Sequence, residues 1–201
     1  DAMALQVAVN LLNSILQNDG TTIDYSGSPS KQSTASYAQM MELIADMEAG
    51  QVDALFIYKT NPVYWLGKDS AFVKAAEKVG LTVSFNDRAD ESALVADFIM
   101  PDSHSMEAWS DAEPQKGVYS LVQPTIRPLF DTRSFQDSLL ALNKAAGLGV
   151  GRWTGVANFH EYLKGFWKDT VYRESGTLVS FEEFWESALR DGVVDVAGKK
   201  G

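Results

Sequence analysis

The residues of this sequence that could do chemistry are concentrated directly after an apolar run that ends at Pro101. Ser103 and His104 are the types that form a nucleophile and its base, but adjacent side chains seldom aim at each other, and no Gly-x-Ser-x-Gly elbow is present. His104, Glu107 and Asp111 have a spacing that suits metal ligands on a helix. Acid-rich loops are more often simply solvated, so a solvated loop is the favoured interpretation. A hydrolytic triad and a metal site stay open as alternatives.

Three short apolar runs precede this polar segment or end directly before it, at 52–59, 81–86 and 97–100. Continuous apolar runs of this length are typical of strands buried on both faces of a sheet. The intervening segments are helical in pattern, and strand–helix–strand order indicates parallel strands joined by crossover helices. We therefore predict an α/β fold with a Rossmann-like parallel sheet. Its strands are expected at 52–59, 81–86 and 97–100, and its connecting helices near 69–79 and 89–95.

The carboxyl ends of these strands are the expected ligand-binding edge, since open parallel sheets bind ligands where adjacent crossovers diverge. Asn61, Asp87 and Glu107 each follow one of the three strands and are the candidate binding residues, placed where a guanine nucleotide would sit if one bound. No loop is rich in glycine, so the usual dinucleotide and P-loop fingerprints are absent from the sequence. A phosphate cradle of the ordinary kind is therefore not expected.

The remainder of the chain is predicted to be mostly helical. The first helix is expected at 2–17, and a long structureless loop follows Pro101. The run "VYSLVQPTIRPLF" is extended, but Pro124 and Pro128 argue against a central strand. We predict a Rossmann-like domain over 1–150 and a helical C-terminal extension over 151–201. Helices are expected over 134–146, 158–170 and 180–190.

Composition excludes several classes of function. The net charge of −10 argues against nucleic-acid binding and against docking on anionic lipid, because both need clustered Lys and Arg. With no cysteine, the chain has neither disulfides nor an iron–sulfur cluster of its own. No apolar run reaches the roughly 18 residues that a membrane helix requires. Because the sequence opens in mid-helix at Asp1 without Met, we interpret it as a piece of a longer protein.

Two long stretches carry a family resemblance, "ALFIYKTNPVY" and "LTVSFNDRADESALVADFIMPDSHSME" with its continuation to Leu140. They resemble the third domain of the molybdopterin oxidoreductase superfamily, in which an Asn-Pro loop follows one strand and an acid-bearing loop follows an "ADvvLP"-like strand. Asn61-Pro62, "ADFIMP" and Glu107 are the counterparts here. The resemblance covers roughly residues 5 to 146, and it implies that Asn61, Asp87 and Glu107 would contact a pterin guanine dinucleotide.

Within the superfamily, the segment from Trp109 to Arg133 is most similar to the iron–sulfur subunit of alternative complex III. The common pattern "E..GT..N.EGR.Q" is replaced by "EAWSDAEPQKGVYSLVQ", so the pterin-holding residues do not carry over. The resemblance implies a scaffold in a respiratory quinol-oxidising complex, with no cofactor in this chain and no complete active site. Its implied partners are other domains of the same chain and membrane-complex subunits on the periplasmic side of the bacterial inner membrane.

Two other functions stay open from the residues. The chain could be the cofactor-binding part of a molybdenum enzyme, with molybdopterin guanine dinucleotide and iron–sulfur clusters in the full-length protein, or it could be an unrelated Rossmann-like protein. Five aromatic residues outside the strand–helix units are expected at an interface, with Trp109 substantially exposed or in contact with another copy. They are Trp109, Trp153, Phe166, Trp167 and Trp185.

Overall fold

The computed structural model describes residues 2–24, 34–148 and 155–196. Two small sheets and eight helices make up these residues, and a single 3-10 turn lies at Ala93–Val95. The helices are α1 (Ala2–Ile15), α2 (Tyr37–Glu48), α3 (Pro62–Leu66), α4 (Ala71–Ala76), α5 (Phe135–Ala145), α6 (Phe159–Asp169), α7 (Val171–Ser175) and α8 (Phe181–Asp191). The strands are β1 (Ala54–Ile57), β2 (Leu81–Ser84), β3 (Phe98–Ile99), β4 (Ser110–Gln115), β5 (Val118–Val122) and β6 (Val193–Asp195).

The first sheet has the order β1-β2-β3, and both of its pairings are parallel. The predicted parallel sheet is therefore confirmed, although each strand is shorter than expected. The helix predicted near 69–79 is α4, whereas the one predicted near 89–95 is reduced to the 3-10 turn. Asp90 accepts the Ala93 N–H at 2.8 Å and so starts this turn, and Ala96 already has extended backbone, which leaves no room for a longer helix.

Helices α2, α3 and α4 cover one face of the parallel sheet and bury the first hydrophobic core with it. Met47 of α2 and Phe72 of α4 are almost completely buried there, next to Ile57 of β1. Helix α2 begins with a capping box, in which Ser36 accepts the Gln39 N–H and the Gln39 side chain accepts the Ser36 N–H.

The second sheet is antiparallel, has the order β4-β5-β6, and was not predicted. The stretch expected to be a structureless loop contains β4, which turns at Gly117 into β5. The prediction that β5 is not a central strand is wrong, because β5 lies between β4 and β6. Pro124 and Pro128 follow the end of β5 at Val122 and therefore interrupt no ladder hydrogen bond.

Helices α6, α7 and α8 pack on this antiparallel sheet and form the second hydrophobic core. Trp167 and Trp185 are buried at its centre with rings 5.7 Å apart at 82°, and Tyr119 of β5 contacts Trp167 from the sheet side. The predicted aromatic helices are thereby confirmed. Because β6 pairs with β5, the sheet joins the two predicted segments, and the division at residue 150 stays a prediction.

Helix α1 is confirmed as a helix, but its apolar side chains lie in solvent. They are between 42% and 76% exposed, and α1 makes no extensive contact with any other element of the described chain. No helix among the described residues has both the length and the apolar character that crossing a membrane would require. The seven large apolar residues exposed on α1 are Met3, Leu5, Val7, Val9, Leu11, Leu12 and Ile15.

Candidate functional site

The carboxyl ends of the three parallel strands enclose a cavity of about 310 Å³. This strand-end cavity is the predicted ligand edge of the sheet. Its volume is at the lower limit of the roughly 300–1,000 Å³ that small-molecule sites usually have. Its lining consists of Lys59, Asn86, Asp87, Asp102, Ser103, His104 and Ser105.

Lys59 is the one lysine or arginine in the lining of the strand-end cavity. Its backbone has φ +49°, a left-handed conformation that costs energy for a residue with a Cβ. Its ammonium lies 3.8 Å from the carboxylate of Asp102, which is buried and also accepts the Phe135 N–H at 2.8 Å. Hydrogen bonding to the Tyr58 side chain is the main factor that raises the pKa of Lys59, and Asp102 raises it further. Lys59 is therefore protonated throughout the neutral range.

Asn86 contributes the most deeply buried polar side chain of this cavity. Its amide nitrogen donates to the carbonyl of Thr60 and to the carboxylate of Asp90, both at 2.8 Å. Its amide oxygen is buried and has no hydrogen-bond partner in the described part of the chain. A buried acceptor without a partner costs free energy. Because this oxygen has almost no accessible surface, a ligand in the cavity does not reach it in the observed side-chain position.

Asn61 is a structural residue in this fold and does not line the strand-end cavity. Its side-chain oxygen accepts the Tyr64 N–H at 3.2 Å, which caps α3, and the Ser92 hydroxyl at 2.7 Å. Its amide nitrogen donates to Glu91 at 2.7 Å, and this hydrogen bond lowers the pKa of Glu91. The side chain thus joins the loop after β1 to the loop after β2.

Glu107 is also used inside the protein. One carboxylate oxygen accepts the His104 N–H at 3.0 Å, and the other accepts the Leu129 N–H at 3.0 Å. Asp87 is the only one of the three predicted binding residues that lines the strand-end cavity, and its carboxylate is half-exposed beside Arg88. The structure therefore does not bring Asn61, Asp87 and Glu107 together around one ligand position.

The described residues by themselves offer a pterin dinucleotide few binding groups. Its pyrophosphate needs several converging donors, whereas Lys59 is the one fixed cation in the cavity lining and it already lies against Asp102. The polar atoms of Asn61 and Glu107 are engaged with the protein itself. In the cavity lining, the half-exposed carboxylate of Asp87 could receive N–H groups from a ring. Cofactor binding by Asn61, Asp87 and Glu107 stays a prediction.

The residues considered for metal or hydrolytic chemistry serve other contacts. His104 accepts the Met106 N–H through Nδ1 at 3.2 Å, and Ser103 shares a hydrogen bond with Thr132 at 3.2 Å. Asp111 accepts the Trp167 indole N–H at 2.9 Å, inside the second core. Across residues 2–24, 34–148 and 155–196 no three His, Cys, Asp or Glu side chains are grouped as metal ligands.

A second cavity of about 440 Å³ lies between the loop after β3 and the first turns of α5 and α6. The Trp109 indole stacks on the His160 imidazole in its wall, with the ring centroids 4.3 Å apart. Trp109 is therefore half-buried and not substantially exposed, while its predicted contact with another copy stays a prediction. Trp167 and Trp185 are core residues, Phe166 packs against that core, and Trp153 lies outside the described residues.

Asp137 and Asn158 are residues of this second cavity that sequence reasoning missed. Asp137 accepts the Ser134 hydroxyl and the Phe159 N–H, both at 2.7 Å, and so fixes the start of α6 against the start of α5. Asn158 caps α6 by accepting the Glu161 N–H at 3.0 Å. The spacings Ser-x-x-Asp and Asn-x-x-Glu before apolar helical runs are the signal that could have identified them.

Comparison with known proteins gives one curated relative and a distant structural likeness. No protein-family profile matches the chain. The chain is 38% identical over 125 residues to the molybdopterin-binding-like subunit of menaquinone reductase from Nitratidesulfovibrio vulgaris (strain Hildenborough), a match over 60% of this chain. The chain spans only 18% of that relative's length.

Among solved structures, acetylene hydratase from Pelobacter acetylenicus has a TM-score of 0.48 and 18% sequence identity with this chain. The likeness covers 54% of this chain and 16% of that structure. The sequence match confirms the resemblance to the molybdopterin oxidoreductase superfamily.

Proposed function

We propose that this chain is part of a molybdopterin-oxidoreductase-like large subunit of a respiratory, quinone-linked electron-transfer complex, in which it acts mainly as a scaffold. The observation that carries the proposal is the 38% identity to the molybdopterin-binding-like subunit of menaquinone reductase. That relative's name describes quinone reduction, so we propose a quinone-linked complex without restricting it to quinol oxidation. The activity belongs to the whole subunit and its partners.

The scaffold role is supported by how the candidate residues are used. Asn61 and Glu107 occupy their hydrogen-bonding atoms with neighbouring loops of the same chain. These hydrogen bonds hold the loops at the strand ends in place. The same polar atoms are then not free to bind a dinucleotide. The absence of cysteine from the sequence further implies that any iron–sulfur cluster is bound by another part of the full-length protein.

The assignment to one branch of the superfamily, with its compartment and partners, is also a proposal. The segment from Trp109 to Arg133 resembles the iron–sulfur subunit of alternative complex III, in which the fold is retained without the molybdenum cofactor. By that resemblance the subunit lies on the periplasmic side of the bacterial inner membrane. Its partners are then other domains of its own chain and membrane-complex subunits, with no nucleic acid and no membrane insertion by this chain.

A cofactor-binding role is the alternative, and one side chain of the strand-end cavity favours it. Asp87 presents a half-exposed carboxylate there, which could accept N–H groups from a guanine ring. The alternative therefore predicts a molybdenum enzyme whose dinucleotide reaches this edge of the sheet.

Metal analysis of the full-length protein, purified with its partner subunits, separates the two functions. The scaffold function predicts molybdenum far below one atom per chain, and a content near one atom per chain would overturn it. Calorimetry with guanosine nucleotides is expected to show no binding tighter than millimolar. A micromolar affinity that is lost in Asp87→Ala would establish the cofactor-binding role.

A further inference from the structure

Helix α1 is the one helix of more than ten residues that has no buried side chain among the described residues. Each of the others, α2, α5, α6 and α8, buries at least one of its side chains. The described side chains of α1 are exposed or, for Asn13, half-buried, and α1 makes no extensive contact with another element. No acidic or basic residue lies in α1, so its exposed surface carries no side-chain charge.

The large apolar residues of α1 are neighbours on the helix surface, because residues three or four positions apart lie side by side. Ala4 and Ala8 lie between them, so the apolar surface is continuous. At 3.6 residues per turn this surface extends over about 240° of the helix circumference. It consists of one row, Met3, Val7, Leu11 and Ile15, and a second row, Leu5, Val9 and Leu12.

The polar residues of α1 are confined to a stripe. Gln6, Asn10, Asn13 and Ser14 lie within about 100° of the circumference, and the Gln6 amide donates to Asn10 at 3.5 Å. A surface helix usually has the opposite proportions, with an apolar stripe and polar residues on the remaining sides. A helix that is apolar on most of its sides is typical of a protein interior. The sequence of α1 is therefore that of an interior helix.

Helix α1 also needs cover in order to be stable. It has 14 residues, and isolated helices of that length are only marginally stable in water. Ion pairs between residues four apart cannot support it, because it has no charged residue. Its stability must then come from packing of its apolar surface, as for most helices in proteins.

Surfaces outside the polypeptide suit this helix poorly. Helices that lie on anionic lipid carry Lys and Arg on their polar side, and the polar stripe of α1 has neither. A contact with a second copy or with a partner subunit covers one face of a helix, and the rest of an arc of about 240° would stay in solvent. Cover on several sides is instead typical of a helix inside its own polypeptide.

Most of that polypeptide lies outside this chain if the proposed function is correct. The chain spans 18% of the length of its menaquinone reductase relative, so a subunit of that size has most of its residues elsewhere. The undescribed parts of this chain contain three large apolar residues, Tyr25, Val150 and Trp153, which are too few to cover seven. Segments of the same polypeptide reach α1 at a high effective concentration, because they are covalently joined to it.

We propose that α1 is an interior helix of the full-length subunit, enclosed on at least two sides by apolar segments of the same polypeptide that lie outside this chain. The proposal rests on the proposed function only in taking the chain as part of a larger subunit. Whether that subunit binds molybdenum does not affect it. Molybdenum content therefore tests the scaffold function, and the experiments below test the position of α1.

Photo-crosslinking in the full-length protein, assembled with its partner subunits, identifies what covers α1. Val7 and Val9 are two positions apart and so lie on nearly opposite sides of the helix. We expect Val7→p-benzoylphenylalanine and Val9→p-benzoylphenylalanine to be joined to two different peptides of the same subunit, both outside residues 1–201. The same substitution at the fully exposed Leu178 is the control for background labelling.

Four results of this experiment would overturn the proposal. They are cross-links to residues 1–201, cross-links to a partner subunit or to lipid, cross-links from both positions to a single peptide, and no cross-link above the Leu178 background. Mixing isotope-labelled and unlabelled subunits separates links within one polypeptide from links between two copies.

Charge substitutions on one turn of α1 provide a second test without cross-linking chemistry. Val7→Lys and Val9→Lys each place a charge on an enclosed side, so each is expected to lower the midpoint of thermal unfolding of the full-length protein by about 3 °C or more. Asn10→Lys, on the polar stripe of the same turn, is expected to leave the midpoint unchanged. Failure to recover a valine variant as soluble protein, when Asn10→Lys is recovered, counts as the same loss. A wild-type midpoint in either valine variant would overturn the proposal.

Discussion

At the scale of single residues, four acidic side chains accept backbone N–H groups from distant parts of the chain. Each such carboxylate joins two segments that lie between 15 and 33 positions apart in the chain. Hydrogen bonds to a charged acceptor are stronger than neutral ones, which suits them to hold loops without regular structure. The four pairs are Asp97 with Thr82, Asp102 with Phe135, Glu107 with Leu129, and Asp137 with Phe159.

Replacing Glu107 tests this bracing role directly. Glu107→Ala removes the acceptor of both the His104 and the Leu129 N–H groups, so we expect the free energy of unfolding to fall by about 1–3 kcal/mol. Glu107→Gln keeps one acceptor oxygen and is expected to lose less. Urea denaturation measures both. Wild-type stability in Glu107→Ala would mean that Glu107 is a free site residue and not a brace.

Asp111 gives the protein a stability that depends on pH. Burial raises the pKa of its carboxyl group, and the hydrogen bond from Trp167 opposes this only in part. The folded state therefore keeps the proton at pH values where the unfolded chain has already lost it. The free energy of unfolding therefore decreases as the pH rises from the ordinary carboxyl pKa of 3.8 through the raised pKa of Asp111. It stays at this lower value at neutral pH.

We expect Asp111→Asn to remove this decrease while keeping an acceptor for Trp167. At pH 7 the variant should be at least as stable as the wild type in urea denaturation, and its advantage should shrink towards acidic pH. Asp111→Ala is the control, since it leaves the indole N–H without a partner and should cost about 1–3 kcal/mol at acidic pH, where the wild type still has its full stability, and less at neutral pH. A less stable Asp111→Asn at pH 7 would contradict the burial argument.

At the scale of elements, the sequence predicted the parallel sheet and missed the antiparallel one. Continuous apolar runs identify all three parallel strands, but only β2 is buried on both faces as such runs predict. Phe56 of β1 is 41% exposed and Phe98 of β3 is 61% exposed, so the expectation of full burial is wrong for these two strands. Strand β4 has the sequence "SDAEPQ", whose acids and Pro114 are depleted in strands. It forms because β5 supplies a partner, and Pro114 is tolerated because β4 is an edge strand with a register shift between Ala112 and Gln115.

The turn between β4 and β5 depends on Gly117, which has φ +81°. Gly117→Ala is expected to destabilise the protein by about 1–2 kcal/mol, because a Cβ is strained in this conformation. Gly117→Asn should cost less, since Asn tolerates left-handed backbone better than Ala does. Chemical denaturation of the two variants makes the comparison. Equal losses would indicate a steric cause at the turn other than its backbone conformation.

At the scale of the whole molecule, the two hydrophobic cores belong to different sheets. Ile57, Met47 and Phe72 lie in the first, and Leu163 and Trp167 lie in the second. The sequence predicted that the strand-end loops form one edge, and Lys59, Asp87 and Asp102 do meet there. It could not predict that Glu107 turns inward, because its partners are backbone N–H groups, which are the same for every residue type. It could not predict the contacts of Asn61 because Glu91 and Ser92 lie about thirty positions further along the chain.

We expect damage to one core to leave the other largely intact. Leu163→Ala removes a fully buried side chain from the second core and should cost about 2–5 kcal/mol. Amide hydrogen exchange should then accelerate in α6, α8 and β5, with little change in β1 and β2. Phe72→Ala in the first core should give the reverse pattern. Uniform acceleration across both sheets would show that the cores unfold as one cooperative unit.

The pairing of β6 with β5 also sets an order in which the protein can fold during synthesis. The first core consists of residues between α2 and Val95, so it can form while the rest is still being translated, before Phe135 of α5 packs on Tyr58 and Phe85. Strand β5 receives β6 only after some seventy further residues, since Val118 pairs with Asp195. Until then Tyr119 and Leu121 have no completed core to enter. The nascent chain therefore passes through a stage with one finished half and one exposed aromatic half, which is when a chaperone would be needed.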